Sequence, residues 1–313
     1  MDRPSGENGF SLARSEDRLV WIFGSSRSGS TWLLRMLAEL EDAVTIDDPH
    51  LGHHLGIWRP IPLAWATADD DPELTLLNDI KREKPSYFFN ERYRDVWEPA
   101  LRQLIVARFD AQARERAAAG TTDPYVFVKE PGSHIADLLM SLFTKSRMIF
   151  LLRDGRDVVD SWLDAHRPGA WALDEGAYPV AREGREALIR WQASVWTYRT
   201  GVVLRAYQAH DPARRVLVRY ENLLRDPAHE LARICAQFGI DVAPADLREI
   251  AAAHDYEQVP SDEKGASKEI RAAEPGGWQR HMTPVEQQAM YEVMGERLVE
   301  VGYLPGFTTE RVA

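Results

Sequence analysis

The sequence predicts an α/β fold in which helices cover both faces of a central parallel sheet. Short apolar runs at 19–23, 125–128, 148–152 and 216–218 have the continuous hydrophobicity of strands buried on both sides, with 43–46 as a further candidate. Apolar stripes at helical spacing separate these runs. Polar clusters fall at the runs' carboxyl ends, the edge where open parallel sheets bind ligands.

Taken in order, residues 1–17 are polar and glycine-containing and read as an arm, leaving 18–313 as one domain. Strand 19–23 leads into the turn Gly24-Ser25-Ser26-Arg27-Ser28-Gly29 and a helix over 30–40 with Leu33, Met36, Leu37 and Leu40 on one stripe. Residues 43–46 run into Asp47-Asp48-Pro49-His50. The stretch 51–72 holds several prolines with Trp58 and Trp65, as a surface or substrate-facing loop does. A crossover helix spans 94–118, with Gly120 as its stop. Strand 125–128 then delivers Lys129 and Glu130.

Ile135, Leu138, Leu139 and Leu142 form the next helical stripe, and 148–152 is the clearest strand. Asp154 is the N-cap of a helix carrying Val158, Val159, Trp162 and Leu163. A long helix covers 185–209. Strand 216–218 is followed by a turn at 222–227, where Asn and Pro stand, and by a helix through Phe238. Residues 255–283 are polar and read as a loop covering a ligand. A last helix covers 284–301.

Composition limits the partners. A formal net charge of −11 argues against a general nucleic-acid binder, so any anion site must be built locally from a few cations and backbone amides. Cys235 is the single cysteine and lies on an apolar helical stripe, which excludes an intrachain disulfide and suits the cytoplasm. No apolar run reaches the roughly 18 residues of a membrane span, and no export signal or metal-ligand spacing is visible.

The turn after the first strand has the physics of an anion cradle: small residues admit a ligand to the backbone amides, and a helix N-terminus adds partial positive charge. Its spacing nearly matches the phosphate loop G-x-x-x-x-G-K-[ST], but Ser30 stands where the lysine belongs and Arg27 brings the positive charge. A nucleotide kinase or NTPase with an altered loop is therefore one reading. A non-catalytic nucleotide-binding protein is another. Asp47/Asp48, Lys129/Glu130 and Arg153 fall at the same sheet edge.

With these clusters laid out, the chain resembles the sulfotransferases that use 3′-phosphoadenosine 5′-phosphosulfate, particularly the bacterial ones. Arg27-Ser28-Gly29-Ser30-Thr31-Trp32 is similar to that family's loop for the 5′-phosphosulfate. The family binds the 3′-phosphate through an Arg and a Ser eight positions apart, the spacing of Arg153 and Ser161. Arg271 with Gly276-Gly277-Trp278-Gln279-Arg280-His281 looks like the C-terminal loop, making 255–283 the cofactor cover. Stretches around Tyr220 and around Lys129-Glu130-Pro131 also match relatives.

The resemblance implies transfer of a sulfuryl group to a hydroxyl or amine of a small-molecule or glycan acceptor, releasing 3′,5′-adenosine bisphosphate and requiring no metal. Arg27 would neutralise the leaving phosphate, with Ser28, Gly29, Ser30, Thr31 and Trp32 around it. Arg153, Ser161, Tyr220, Arg271, Gly276 and Trp278 would bind the nucleotide. Asp48-Pro49-His50 looks like the Glu-Pro-His segment carrying the base in some relatives, so Asp48 is the expected base and Asp47 its alternate. His50, Lys129 and Glu130 would face the acceptor.

Simpler roles stand beside these. Asp47 and Asp48 suit a turn cap, Lys129 and Glu130 a structural ion pair, and Trp32 the core. Aromatic residues at Trp58, Trp65, Tyr87, Phe88, Phe89, Trp171 and Tyr178 hint at a ring-bearing or apolar acceptor.

Overall fold

The computed structural model describes residues 10–54, 88–118, 121–167, 169–171, 184–261, 264–265 and 274–304. Five strands form one parallel sheet: β1 (Leu19–Phe23), β2 (Ala43–Asp47), β3 (Tyr125–Lys129), β4 (Arg147–Leu152) and β5 (Arg215–Arg219), in the order β2-β3-β1-β4-β5. Every pairing is parallel, with Trp21 opposite both Val128 and Met148. All five residues of β1 are buried.

The pleat sends alternate side chains into two cores. Trp21, Phe23, Val126, Val128, Phe150 and Leu152 point to one face. There they meet α2 (Arg94–Arg116), α3 (Ala136–Leu142), α4 (Gly155–Ala165), α5 (Arg185–Ala209) and α9 (Pro284–Glu300). Val20, Ile22, Phe127, Ile149 and Leu151 point to the other, against α1 (Ser30–Ala38), α7 (Pro227–Phe238) and α8 (Pro244–Ala253). Cys235 is buried in that second core. The chain leaving β1 passes to one face while those leaving β3 and β4 pass to the other. That divergence opens a crevice at the carboxyl end of β1.

Three expectations need correction. Residues 10–17, read as part of an arm, are held: Leu12 is buried, its amide donates to Asp110 Oδ1 at 2.8 Å, and Glu16 pairs with Arg102. The Asn222 to Pro227 turn is instead α6 (Tyr220–Arg225), followed at once by α7. Asp226 caps α7 by accepting from the His229 amide, and Pro227 takes its first position, where a missing N–H costs nothing. The helix α8 was not anticipated, because only Leu247 and Ala251 are buried along it. The expected loop over 51–72 lies outside the described residues beyond His54, as do Trp58, Trp65, Tyr87, Tyr178 and Gly120. Among the described residues no helix is long and apolar enough to cross a membrane.

Candidate functional site

The turn 24–29 sits in the crevice and is braced from three sides. Gly24 lies so close to β4 that a Cβ there would stand 2.4 Å from the Leu151 carbonyl oxygen. The buried Ser133 hydroxyl accepts from the Gly24 amide at 3.0 Å and donates to the Gly24 carbonyl at 2.6 Å. Ser28 is buried and donates to the Ser25 carbonyl at 2.6 Å, tightening the turn. Arg27 and Gly29 both take the left-handed conformation, with φ of 69° and 86°. Gly29 is the N-cap of α1 and offers no side-chain oxygen, so the amides of Ser30, Thr31 and Trp32 are left for an anion.

Two arginines and a serine meet on this turn. The Arg27 Nε donates to Ser161 Oγ at 3.2 Å although the two residues are 134 apart in the chain. Arg153, 9% exposed, donates to the Arg27 carbonyl oxygen at 2.7 Å, while its Nε is buried without a hydrogen-bond partner. Ser161 lies on α4, whose N-cap Asp154 directly follows Arg153. Tyr220 forms the floor, with the Arg153 guanidinium 4.3 Å above its ring centroid and Gly29 packed against its edge. Burial raises the Tyr220 pKa and the Arg153 charge opposes the rise. The half-buried Trp32 donates from its indole nitrogen to the His254 carbonyl at 2.8 Å and meets the Tyr220 ring edge-on. Arg27 also lies 5.2 Å from the Trp171 ring centroid.

The other side of α1 is organised by Lys129. The register of β2 and β3 sets Asp47 opposite Lys129. The ammonium lies 2.8 Å from Asp47, 3.0 Å from Asp48 and 2.7 Å from the Thr31 hydroxyl. Asp47 and Asp48 are therefore exposed carboxylates tied to the loop through one cation. Asp48 and His50 flank Pro49 with φ of 47° and 49°, the left-handed region that residues other than glycine rarely occupy.

The ion pair expected between Lys129 and Glu130 takes different partners. Successive strand residues point to opposite faces, so Lys129 pairs with the β2 carboxylates. Glu130, 1% exposed, accepts from the Leu51 and Gly132 amides at 3.0 and 2.7 Å. Burial pushes its carboxyl up to about 7, although these amides oppose the shift.

Residues assigned no role in the site from sequence also border it. Arg199 of α5 reaches Ser26 Oγ at 3.3 Å; burial lowers its pKa and the Glu130 charge raises it. The buried Asp157 accepts from the amides of Gly276, at 2.8 Å, and Trp278. Glu221 accepts from the Asp154 amide and from the Tyr303 hydroxyl. Arg199 sits inside a long helix and Asp157 in the first turn of α4, where an acidic residue already suits the helix N-terminus, so spacing alone gave neither a role in the site. Gly276 and Trp278 thus lie on α4 beside Arg153, while Arg271 lies outside the described residues.

Residues 20–244 match the model of a family described as the sulfotransferase family. Among solved structures, mouse sulfotransferase SULT7A1 complexed with PAP superposes with a TM-score of 0.54 at 13% identity, covering 96% of this chain and 97% of that one. Sulfotransferase STF9 from Mycobacterium avium gives 0.51 at 16% identity, covering 92% and 78% respectively. No curated protein matches the chain. The family match spans β1 through the start of α8, including the loop, Arg153, Ser161 and Tyr220, and the chain belongs to the sulfotransferase family.

Proposed function

We propose that this chain is a sulfotransferase that takes its sulfuryl group from 3′-phosphoadenosine 5′-phosphosulfate and passes it to a hydroxyl or amine of a small-molecule or glycan acceptor. The observation that carries the reading is the convergence of Arg27, Arg153 and Ser161 on one uncapped helix N-terminus. The buried Arg153 Nε without a partner is a donor waiting for an anion, and the first-turn amides of α1 offer more. The PAP complex of the mouse relative is consistent with a nucleotide of that kind.

The donor molecule brings an activated sulfuryl group; the chain supplies position and charge. Arg27 and the amides of Ser28 to Trp32 hold the 5′ side and neutralise the charge that develops on the leaving phosphate. Arg153 and Ser161 hold the 3′-phosphate over Tyr220, while Trp32 borders the base and Gly276 and Trp278 close from the C-terminal side. Asp48 takes the acceptor proton, with Asp47 as its alternate; both are kept near the loop by Lys129. His50 lies on the acceptor side, whereas Glu130, expected there too, is buried with its oxygens taken by the Leu51 and Gly132 amides and shapes that side from within without touching the acceptor.

Thermal unfolding with 3′,5′-adenosine bisphosphate, compared with ATP and Mg²⁺, tests the donor assignment, and a labelled donor with a panel of hydroxyl and amine acceptors tests transfer. Stabilisation by the bisphosphate and label in a product are expected. Stabilisation by ATP with hydrolysis would instead support the NTPase reading. Bisphosphate binding with no sulfated product on any acceptor would support a non-catalytic binder.

A further inference from the structure

Helix α4 does two things at once. Arg153, just ahead of its first turn, and Ser161 face the loop. Asp157, halfway between them in sequence and one helical turn from Ser161, is 1% exposed and accepts from the Gly276 amide at 2.8 Å and from the Trp278 amide at 3.4 Å. One turn further on the adjoining flank, Asp160 is 4% exposed and pairs with His281 Nδ1 at 2.9 Å. Arg156, fixed by the Asp154 carboxylate at 2.7 Å, lies 4.4 Å over the Trp278 ring.

One helix therefore grips the 274–281 strap at three points through charged side chains. Burying carboxylates is costly unless each is satisfied, and surface decoration would not require it. The strap's outer residues Gln279 and Arg280 are exposed, and its turn uses the left-handed Gly276, with φ of 81°. The backbone contacts of the grip are both made by Asp157, on which the Arg153 charge acts.

We propose that Asp157 is a positioning residue: it registers the 274–281 strap on the helix that follows Arg153 and carries Ser161, so that strap closure and anion binding beside that helix are coupled. The proposal rests on the functional reading above, because the anion invoked is the nucleotide's. Two backbone amides held by one carboxylate fix both the height and the direction of the strap, which a single side-chain contact does not do. An ordered strap shields the bound nucleotide and slows its release. The nucleotide in turn holds Arg153 and Ser161 in place and favours the α4 geometry in which Asp157 reaches both amides. Asp160 and Arg156 support the same register from the neighbouring flank.

The test uses the full chain with 3′,5′-adenosine bisphosphate as probe. Stopped-flow displacement should show dissociation at least about tenfold faster from Asp157→Ala than from the wild type, with a smaller change in the association rate. Asp157→Asn, which keeps one acceptor oxygen, should fall between them. Hydrogen exchange at the Gly276 and Trp278 amides should quicken in both variants and slow in the wild type when the bisphosphate is added. Should Asp157→Ala fail to fold, Asp157→Asn and the wild-type exchange response still decide. A variant that melts earlier yet releases the bisphosphate at the wild-type rate would show a merely structural role and overturn this inference alone. Absence of bisphosphate binding by the wild type would overturn the functional reading and the coupling with it.

Discussion

The Arg153 guanidinium donates to the carbonyl oxygen of Arg27 at 2.7 Å, so one cation fixes the turn at the residue that carries the other. It is held from below by Tyr220 and has a buried Nε without a partner. Charge-assisted hydrogen bonds contribute about 1.5–3 kcal/mol each, equivalent to roughly 10- to 100-fold in affinity. Arg153→Ala should therefore weaken bisphosphate binding by at least that range in calorimetric titration. Arg153→Lys should restore little of it, because a lysine has no planar fork to span the Arg27 carbonyl and a phosphate together. Near-wild-type affinity in the lysine variant would show that Arg153 supplies charge alone.

Arg27 couples function to local strain. Its φ of 69° is one that a side chain resists by about 1 kcal/mol and that glycine adopts freely. Arg27→Gly removes that strain along with the bond to Ser161, whereas Arg27→Ala removes the bond and keeps the strain. Denaturant titration should rank Arg27→Gly above Arg27→Ala by about 1 kcal/mol. Both should lose at least about 100-fold in turnover, since neither carries the charge for the leaving phosphate. Substantial turnover in either would remove Arg27 from the mechanism.

Gly24→Ala tests the close approach of β1 to β4. The added methyl would lie 2.4 Å from a backbone oxygen, which no rotamer change relieves. Either strand must move, at a cost of about 3 kcal/mol or more. Because Ser133 clamps Gly24 through both its amide and its carbonyl, the displacement should pass to the turn. Lowered stability together with weakened bisphosphate binding is expected; lowered stability with unchanged binding would show that the turn is positioned independently of Gly24.

Much of the fold was readable because the parallel strands are buried on both faces. A run such as Val20 to Phe23 admits little other interpretation, and Asp154 caps α4 as its position before Arg156 and Asp157 suggests. The site was readable where a spacing carried it: Arg27, Arg153 and Ser161 lie far apart in the chain and meet. It was unreadable where strand register or helix facing decides the partner. Lys129 prefers Asp47 and Asp48 over the adjacent Glu130 only because β2 lies beside β3 in that register. Polar signals also misled, since Asn222 lies within α6 and Pro227 opens α7, with only Asp226 between the two helices.

Glu130 predicts how stability varies with pH. Its folded pKa of about 7 exceeds the ordinary carboxylate value of 4.5, mainly through burial. Between these values the unfolded chain has released the proton that the folded chain still holds, so stability falls as pH rises through that window. The stabilisation of the protonated form is complete below about pH 4.5 and lost as pH passes about 7; the shift corresponds to on the order of 3 kcal/mol. Glu130→Gln cannot ionise. It gives up one of the two amide contacts, from Leu51 or Gly132, at a cost of about 1 kcal/mol that does not depend on pH. The variant should therefore be the less stable protein at pH 5 and lose less stability than the wild type between pH 5 and 8. Parallel stability curves for the two proteins would show that Glu130 titrates as an ordinary surface carboxylate, and that its burial does not act on the proton.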